Sequence, residues 1–173
     1  MNAGLWQKNL AVVAQIEAST YEPARRGPID FLTRVAKHPR GVSTLAVEAE
    51  RIVGVCLGAP LEMFSNVSGA NTDPTLHQGT TLCSADTLID SDYRGRGLGK
   101  RLKAAHIQHA FRAGYKVVSG RNRAVFAAAM WRINRSLGGR AIRLIENDYD
   151  DLLKPNVCIY YHIETTSHGS HAA

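Results

Sequence analysis

The sequence predicts an α/β fold of the α+β kind, a mixed central sheet flanked by helices, in a single domain over residues 1–165. Three observations carry this. Short apolar or β-branched runs alternate with helical patterns in the order α-α-β-β-β-α-β-α-β-β. Only Ala49-Glu50-Arg51 separates the first two strands, so they pair as a hairpin with a polar turn, although the turn lacks an Asn-Gly signal. Two later strand-to-strand connections contain whole helices, which makes them crossovers. A chain of 173 residues is the size of one domain.

Each element has its own signal. Over residues 5–20, Leu10, Val13, Ala14 and Glu17 stack at helical spacing, the first three of them apolar. A second helix over Asp30 to Ala36 puts Phe31, Leu32 and Val35 on one side, and Pro39 and Gly41 end it. Ser43 to Glu48 and Ile52 to Leu61 are the hairpin strands. Residues 64–79 are rich in Ser, Asn, Gly, Thr and Pro and read as one long loop. Thr80 to Asp90 is the third strand, followed by Arg94-Gly95-Arg96-Gly97-Leu98-Gly99 and a helix to about Ala113. That helix is apolar on two sides (Leu98, Leu102 and Ala105; Ala104, Ile107 and Phe111), as a helix between neighbours should be. Lys116 to Ser119 is a short strand. Arg123 to Leu137 is a helix with Phe126, Ala129, Met130, Ile133 and Leu137 on its core face, stopped by Gly138-Gly139. Ala141 to Ile145 and Val157 to Ile163 are the last strands, joined by an acidic loop. Residues 166–173, polar and containing histidines, are expected to be a disordered tail.

Composition narrows the function classes. With 45% hydrophobic and 21% charged residues the chain can bury a core without a disulfide or metal staple. Cys56, Cys83 and Cys158 lie far apart in apolar runs with no CxxC spacing, so no disulfide and no metal site is expected. No apolar run reaches the ~18–20 residues that span a bilayer. Met1 to Gln15 lacks a basic leader and a small-residue cleavage pattern, so the expected location is cytoplasmic, with no membrane partner. The net charge of +6 suits a phosphorylated ligand. The basic residues form no single tract, and nucleic acid is not expected as a partner.

The strand–glycine–helix junction at residues 94–99 carries the chemistry. Glycines let the backbone curl so that successive amides point into one concavity, and the helix that follows adds its positive end. That is a site for a pyrophosphate, with Arg94, Arg96 and Lys100 adding mobile positive charge at its rim. The spacing of Gly95, Gly97 and Gly99 is one residue too short for the dinucleotide fingerprint, and the segment fails the P-loop spacing as well.

Tyr93-Arg94-Gly95-Arg96-Gly97-Leu98-Gly99 resembles the acyl-CoA signature, [Q/R]-x-x-G-x-[G/A], of the GNAT acetyltransferase superfamily. Leu88-Ile89-Asp90 looks like the end of that family's fourth strand. Asn122, Met130, Ile133-Asn134 and Leu137-Gly138 look like its following strand end, helix and turn. The resemblance implies a mostly antiparallel sheet splayed in the middle to hold CoA, with the family's usual first strand absent or shortened. It implies acetyl-CoA as acyl-donor co-substrate, held by the backbone of Leu88 and Ile89, by the amides from Arg94 through Gly95, Arg96, Gly97 and Leu98 to Gly99, by Lys100, and by Asn122 and Asn134.

The catalytic groups are read separately. Asp86, in the small and apolar stretch from Cys83 to Ile89, is the candidate base that frees an amine of its proton. Family members often carry a Tyr acid four residues before the helix-ending glycine. Here that position is Asn134, which cannot act as an acid, so Tyr160, with Tyr161 beside it, is the substitute. Cys83 as a nucleophile would need a His base, and His77 is the nearest in sequence. Glu146, Asp148, Asp150 and Asp151 form a loop that could attract a cationic amine. The resulting expectation is an N-acetyltransferase that moves an acetyl group to a primary amine of a small-molecule or aminoacyl acceptor by direct attack, with a homodimer admitted. The alternatives are a toxin-type acetyltransferase acting on aminoacyl-tRNA and a non-catalytic acyl-CoA-binding module.

Overall fold

A computed structural model describes residues 3–21 and 26–165, so the expected tail at 166–173 lies outside the described residues. The elements are α1 (Ala3–Thr20), α2 (Ile29–Lys37), β1 (Val42–Glu48), β2 (Arg51–Pro60), β3 (Thr81–Ile89), α3 (Leu98–Arg112), β4 (Val117–Arg123), α4 (Ala128–Ser136), β5 (Arg140–Glu146) and β6 (Val157–Glu164). Their order is the one read from the sequence. The six strands follow the order β1-β2-β3-β4-β6-β5 in one mixed sheet. The β1–β2, β4–β6 and β5–β6 pairs are antiparallel, and β3–β4 is parallel as a helical crossover requires.

Contacts group the chain into two compact units, Met1–Ala59 with Ser84–His109, and Pro60–Cys83 with Ala110–Ala173. In the first unit, α1 and α2 bury Trp6, Val13, Ile16, Leu32, Val35 and Ala36, and Trp6 Nε1 donates to Thr33 Oγ1 at 3.1 Å. Strand β2 is buried from Ile52 to Pro60, the pattern of a strand covered on both faces. It meets β1 through a two-residue turn in which both Ala49 (φ 45°) and Glu50 (φ 64°) are left-handed, the conformation that Asn-Gly usually supplies.

In the second unit, β6 lies between β4 and β5 and buries Cys158 to Tyr161 and Ile163. The pairing from Val117–Glu164 to Arg123–Cys158 extends β4 through Gly120, Arg121, Asn122 and Arg123. Nothing in the composition of those residues favours a strand, and the cross-strand ladder imposes it. The helix expected over Arg123 to Leu137 therefore begins only at Ala128. Phe126, expected on its core face, is 41% exposed and lies under the Arg123 guanidinium, 4.7 Å from it. The buried residue of α4 is the polar Asn134, while Met130 and Ile133 are half-buried.

The long loop at 64–79 is an ordered segment, entered by a 3-10 turn at Leu61–Phe64 and holding another at Ala70–Thr72. Asp73 ties it down. Its carboxylate accepts from Thr75 N (2.7 Å), from Thr75 Oγ1 (2.6 Å) and from the Tyr160 hydroxyl, and faces His162 Nε2 at 2.5 Å. Burial alone would raise the Asp73 carboxyl, but the hydrogen bonds from Thr75, Tyr160 and His162 outweigh it and hold the group below the ordinary carboxylate range.

The acidic loop between β5 and β6 is clamped to β4. Arg121 pairs with Asp148 at 2.7 Å, and Arg123 grips Asp151 at 2.5 and 3.1 Å. The two guanidinium groups flank the Tyr149 ring at 5.4 and 4.6 Å. Arg123 is only 1% exposed, so removing one partner strands charge in a poorly solvated place. Urea unfolding of Arg123→Ala should show a loss of about 3–5 kcal/mol. Arg140→Ala, whose pair with Glu164 is 69% and 61% exposed, should cost under about 1 kcal/mol in the same measurement.

Candidate active site

Strand β3 ends in an orderly stop. Asp90 N donates to Val53 O on β2 at 2.9 Å, and the Asp90 carboxylate accepts from Asp92 N and pairs with Arg51 at 2.7 Å. Successive amides of a strand face opposite edges, so the Ile89 N–H points away from β2. The Ile89 carbonyl points the same way and is taken by Arg94 Nε at 3.0 Å. Arg94 also donates to Thr20 Oγ1 at 2.9 Å and to Ser19 O at 3.3 Å. The structure thus corrects the expectation of mobile charge at this residue, because Arg94 is a strut between the end of β3 and the end of α1. Arg96 and Lys100 are exposed, Arg96 with its guanidinium 5.6 Å from the Tyr93 ring.

The turn into α3 has the shape its glycines suggest. Gly95 (φ 76°) and Gly97 (φ 74°) are both left-handed, and a Cβ on either would meet nothing within 4 Å. Space is therefore not what demands glycine there; the backbone conformation is. Helix α3 starts at Leu98 with its first amides unclaimed by the helix itself, next to this open turn. The turn has the geometry and charge to cradle a pyrophosphate.

Asp86 sits three residues before Ile89, half-buried on β3. Tyr21 Oη donates to its Oδ1 at 3.1 Å. Burial is the main reason its carboxyl is pushed up to about 7; the nearby Glu17 carboxylate raises it further, Tyr21 opposes, and Cys56 adds a small push upward. Cys56 Sγ reaches Thr87 Oγ1 at 3.1 Å and Ser84 Oγ at 3.8 Å, and Lys103 Nζ donates to Ser84 Oγ at 2.7 Å. One thiol touching residues three apart means that β3 departs from strict alternation here. The ladder to β4 pairs Thr81 with Val117, Leu82 with Val118 and Cys83 with Ser119, just before this stretch. Sequence reasoning did not find Glu17 or Tyr21. The available signal was a glutamate at the i+7 position of an otherwise apolar helix face, and Glu17 is indeed buried, at 4% exposure.

The other expected site residues are arranged as follows. Leu88 is buried, and Gly99 is half-buried in the first turn of α3. Asn134 Nδ2 donates to Asn122 Oδ1 at 2.7 Å, both side chains buried, and Asn134 Oδ1 has no hydrogen-bond partner among the described residues. Tyr160 is 1% exposed, and burial followed by its bond to Asp73 pushes its phenol far above the ordinary value. Its hydroxyl donates to Asp73, which makes it an anchor for the 61–80 segment. Tyr161 is buried against Trp131, ring centroids 5.9 Å apart. Cys83 is buried and His77 exposed. Of the four loop acids, Asp148 and Asp151 pair with Arg121 and Arg123, while Glu146 and Asp150 are exposed. Among the described residues, no three His, Cys, Asp or Glu side chains are grouped to hold a metal ion, and no helix is long and apolar enough to cross a membrane.

A sequence model of the Acetyltransferase (GNAT) family matches residues 10–130. The chain belongs to the GNAT acetyltransferase family. No match was found among curated proteins. The GNAT fold is seen again in solved structures. The ribosomal-protein-S18-alanine N-acetyltransferase of Escherichia coli shares 16% identity at a TM-score of 0.71, over 96% of this chain and 94% of that one. The yncA protein of Salmonella typhimurium, solved with acetyl-CoA, shares 17% at 0.70 over 96% and 94%. The GNAT-like decarboxylase GphF, solved with isobutyryl-CoA, shares 14% at 0.71 over 92% and 96%. The matched residues include the glycine turn after β3, Arg94 to Gly99.

The raised Asp86 carboxyl also has a consequence for stability. An unfolded Asp titrates near 3.9, so between about pH 4 and 7 the folded protein holds a proton that the unfolded chain gives up. This contribution is fully present below about pH 4 and is lost as pH rises through about 7. Asp86→Asn cannot ionise and escapes that loss. Its stability relative to wild type should therefore climb between pH 5 and pH 8, by up to about 3 kcal/mol, in thermal or urea unfolding across that range.

Proposed function

We propose that this GNAT acetyltransferase moves an acetyl group from acetyl-CoA to a primary amine of a small-molecule or aminoacyl acceptor by direct attack. The observation that carries the reading is Asp86, a half-buried carboxyl poised at about 7, on the strand that leads directly into the glycine turn. The turn fits an acyl-CoA because its left-handed glycines leave an open, cationic concavity at a helix start. In this reading the amides from Arg94 to Gly99 hold the pyrophosphate, and the Ile89 N–H, facing away from β2, polarises the thioester carbonyl. A strand rise of ~3.3 Å per residue sets Asp86 about 10 Å back along β3 from Ile89, so in this reading the acceptor amine lies between the two and reaches Asp86 directly or through a water.

The amine arrives as ammonium, and Asp86 takes one proton. The neutral nitrogen attacks the thioester carbon, the C–S bond breaks and CoA leaves as thiolate, and the second proton, left on the new amide nitrogen, passes to solvent water. Asn134 has no acidic proton to supply, and the Tyr160 hydroxyl already donates to Asp73. A thiol of pKa near 8.5 is a tolerable leaving group close to neutral pH, so release without a phenolic acid is feasible.

Release of CoA thiol from acetyl-CoA across a panel of primary amines and aminoacyl esters tests this reading. An amine-dependent signal is expected, with turnover rising with pH through about 7. Asp86→Asn should lower kcat by about 10²-fold or more, flatten that limb and leave CoA affinity nearly unchanged. Acyl-CoA binding with no thiol release for any amine would reduce the protein to a binding module.

Calorimetry tests the turn. Gly97→Glu places a strained residue and a like charge in the cradle, so the Kd for CoA should rise at least about tenfold, roughly 1.4 kcal/mol, in a protein that still folds. Unchanged affinity would remove the pyrophosphate from this turn.

A further inference from the structure

Asp86 faces three titratable groups: Glu17 and Tyr21 from α1 and the residue just past its end, and Cys56 from β2. The first two are arranged with more care than packing requires. Tyr21 N donates to Glu17 O at 2.9 Å, continuing the helical turn, so the two side chains, four residues apart, share one face. The Glu17 carboxylate is buried and fixed by Gly27 N at 2.9 Å, so it cannot swing out to water. The Tyr21 phenol reaches Asp86 Oδ1 at 3.1 Å.

We propose that Glu17 and Tyr21 are an opposed pair of positioning residues for Asp86: Tyr21 aims the carboxylate through its hydrogen bond, and Glu17 supplies the fixed negative charge against which it ionises. The proposal rests on reading Asp86 as the base. Two carboxylates held near one another in a poorly solvated region do not both ionise cheaply, so the Glu17 carboxylate makes it harder for Asp86 to lose its proton. Glu17 accepts from the Gly27 amide, and Asp86 from the Tyr21 phenol. A phenol donating to a carboxylate favours the charged form, so Tyr21 limits how far Glu17 pushes. A weak acid is thereby turned into a base whose proton affinity suits neutral pH, with its lone pair held in one direction.

The test reads Asp86 itself. In the full-length, ligand-free protein with 13C-labelled Asp carboxyls, the Asp86 resonance is the one lost in Asp86→Asn, and its titration is followed from pH 5 to 9. Tyr21→Phe should raise its midpoint, and Glu17→Gln should lower it, each by about one unit. Gln can still accept from Gly27 N, and Phe keeps the ring, so both variants are built to fold. Glu17→Asp, which draws the charge back, is the reserve and should lower the midpoint by less. The acidic limb of kcat should move in the same two directions. Midpoints that stay put, or move the same way in both variants, overturn the proposal, because loosened packing alone gives no opposed shifts. If Asp86→Asn keeps full turnover while the midpoints shift as stated, the base assignment falls and the Glu17–Tyr21 pair stands. If Asp86→Asn is inactive and the midpoints do not move, only the pair falls.

Discussion

The hydrogen bond from Asp90 N to Val53 O, 2.9 Å long, sets the phase of the end of β3. Because that amide turns toward β2, the Ile89 N–H and C=O turn outward. Arg94 claims the outward carbonyl and continues to α1, so the strand end cannot twist to hide its remaining amide. The glycine turn, the start of α3 and the aim of the Ile89 amide all follow from this phase. A one-residue slip would exchange the two edges and leave the glycine turn beside an occupied donor.

The chain handles its enclosed carboxylates in three ways. Asp73 is surrounded by donors and is held ionised. Asp148 and Asp151 are matched with guanidinium groups across the β4 face. Asp86 receives a single phenol and a like-charged neighbour. The first two arrangements satisfy the charge and fasten a loop. The third leaves the charge unsatisfied, which weakens the fold locally and creates a reactive group. A further titratable group, His106, is buried above Lys103, and burial together with that cation keeps it neutral.

Local chemistry was the legible part of the sequence. The alternation of strand and helix patterns set out every element in order. The strand–glycine–helix junction could be placed because it is contiguous, and Asp86 drew attention as a carboxyl among small apolar neighbours. What escaped was set by partners far along the chain. The strand character of Gly120 to Arg123 comes from β6, more than thirty residues away. Tyr160 looked like a free phenol until Asp73, 87 residues earlier, was placed against it. The acidic loop looked solvated until two arginines of β4 claimed it. The Tyr21–Asp86 bond spans 65 residues and leaves no trace in either local segment.

The β1–β2 turn bears on the order in which the fold assembles. Ala49 and Glu50 both occupy left-handed backbone without the glycine or asparagine that makes it cheap, at a cost of about 1 kcal/mol or more apiece. A hairpin with such a turn has little reason to form by itself in the unfolded chain. It is expected to close late, drawn in by the apolar surface that β2 buries from Ile52 onward. The turn then acts as a spring that eases unfolding more than it slows folding, so relief of its strain would lengthen the lifetime of the native state while leaving the folding nucleus untouched.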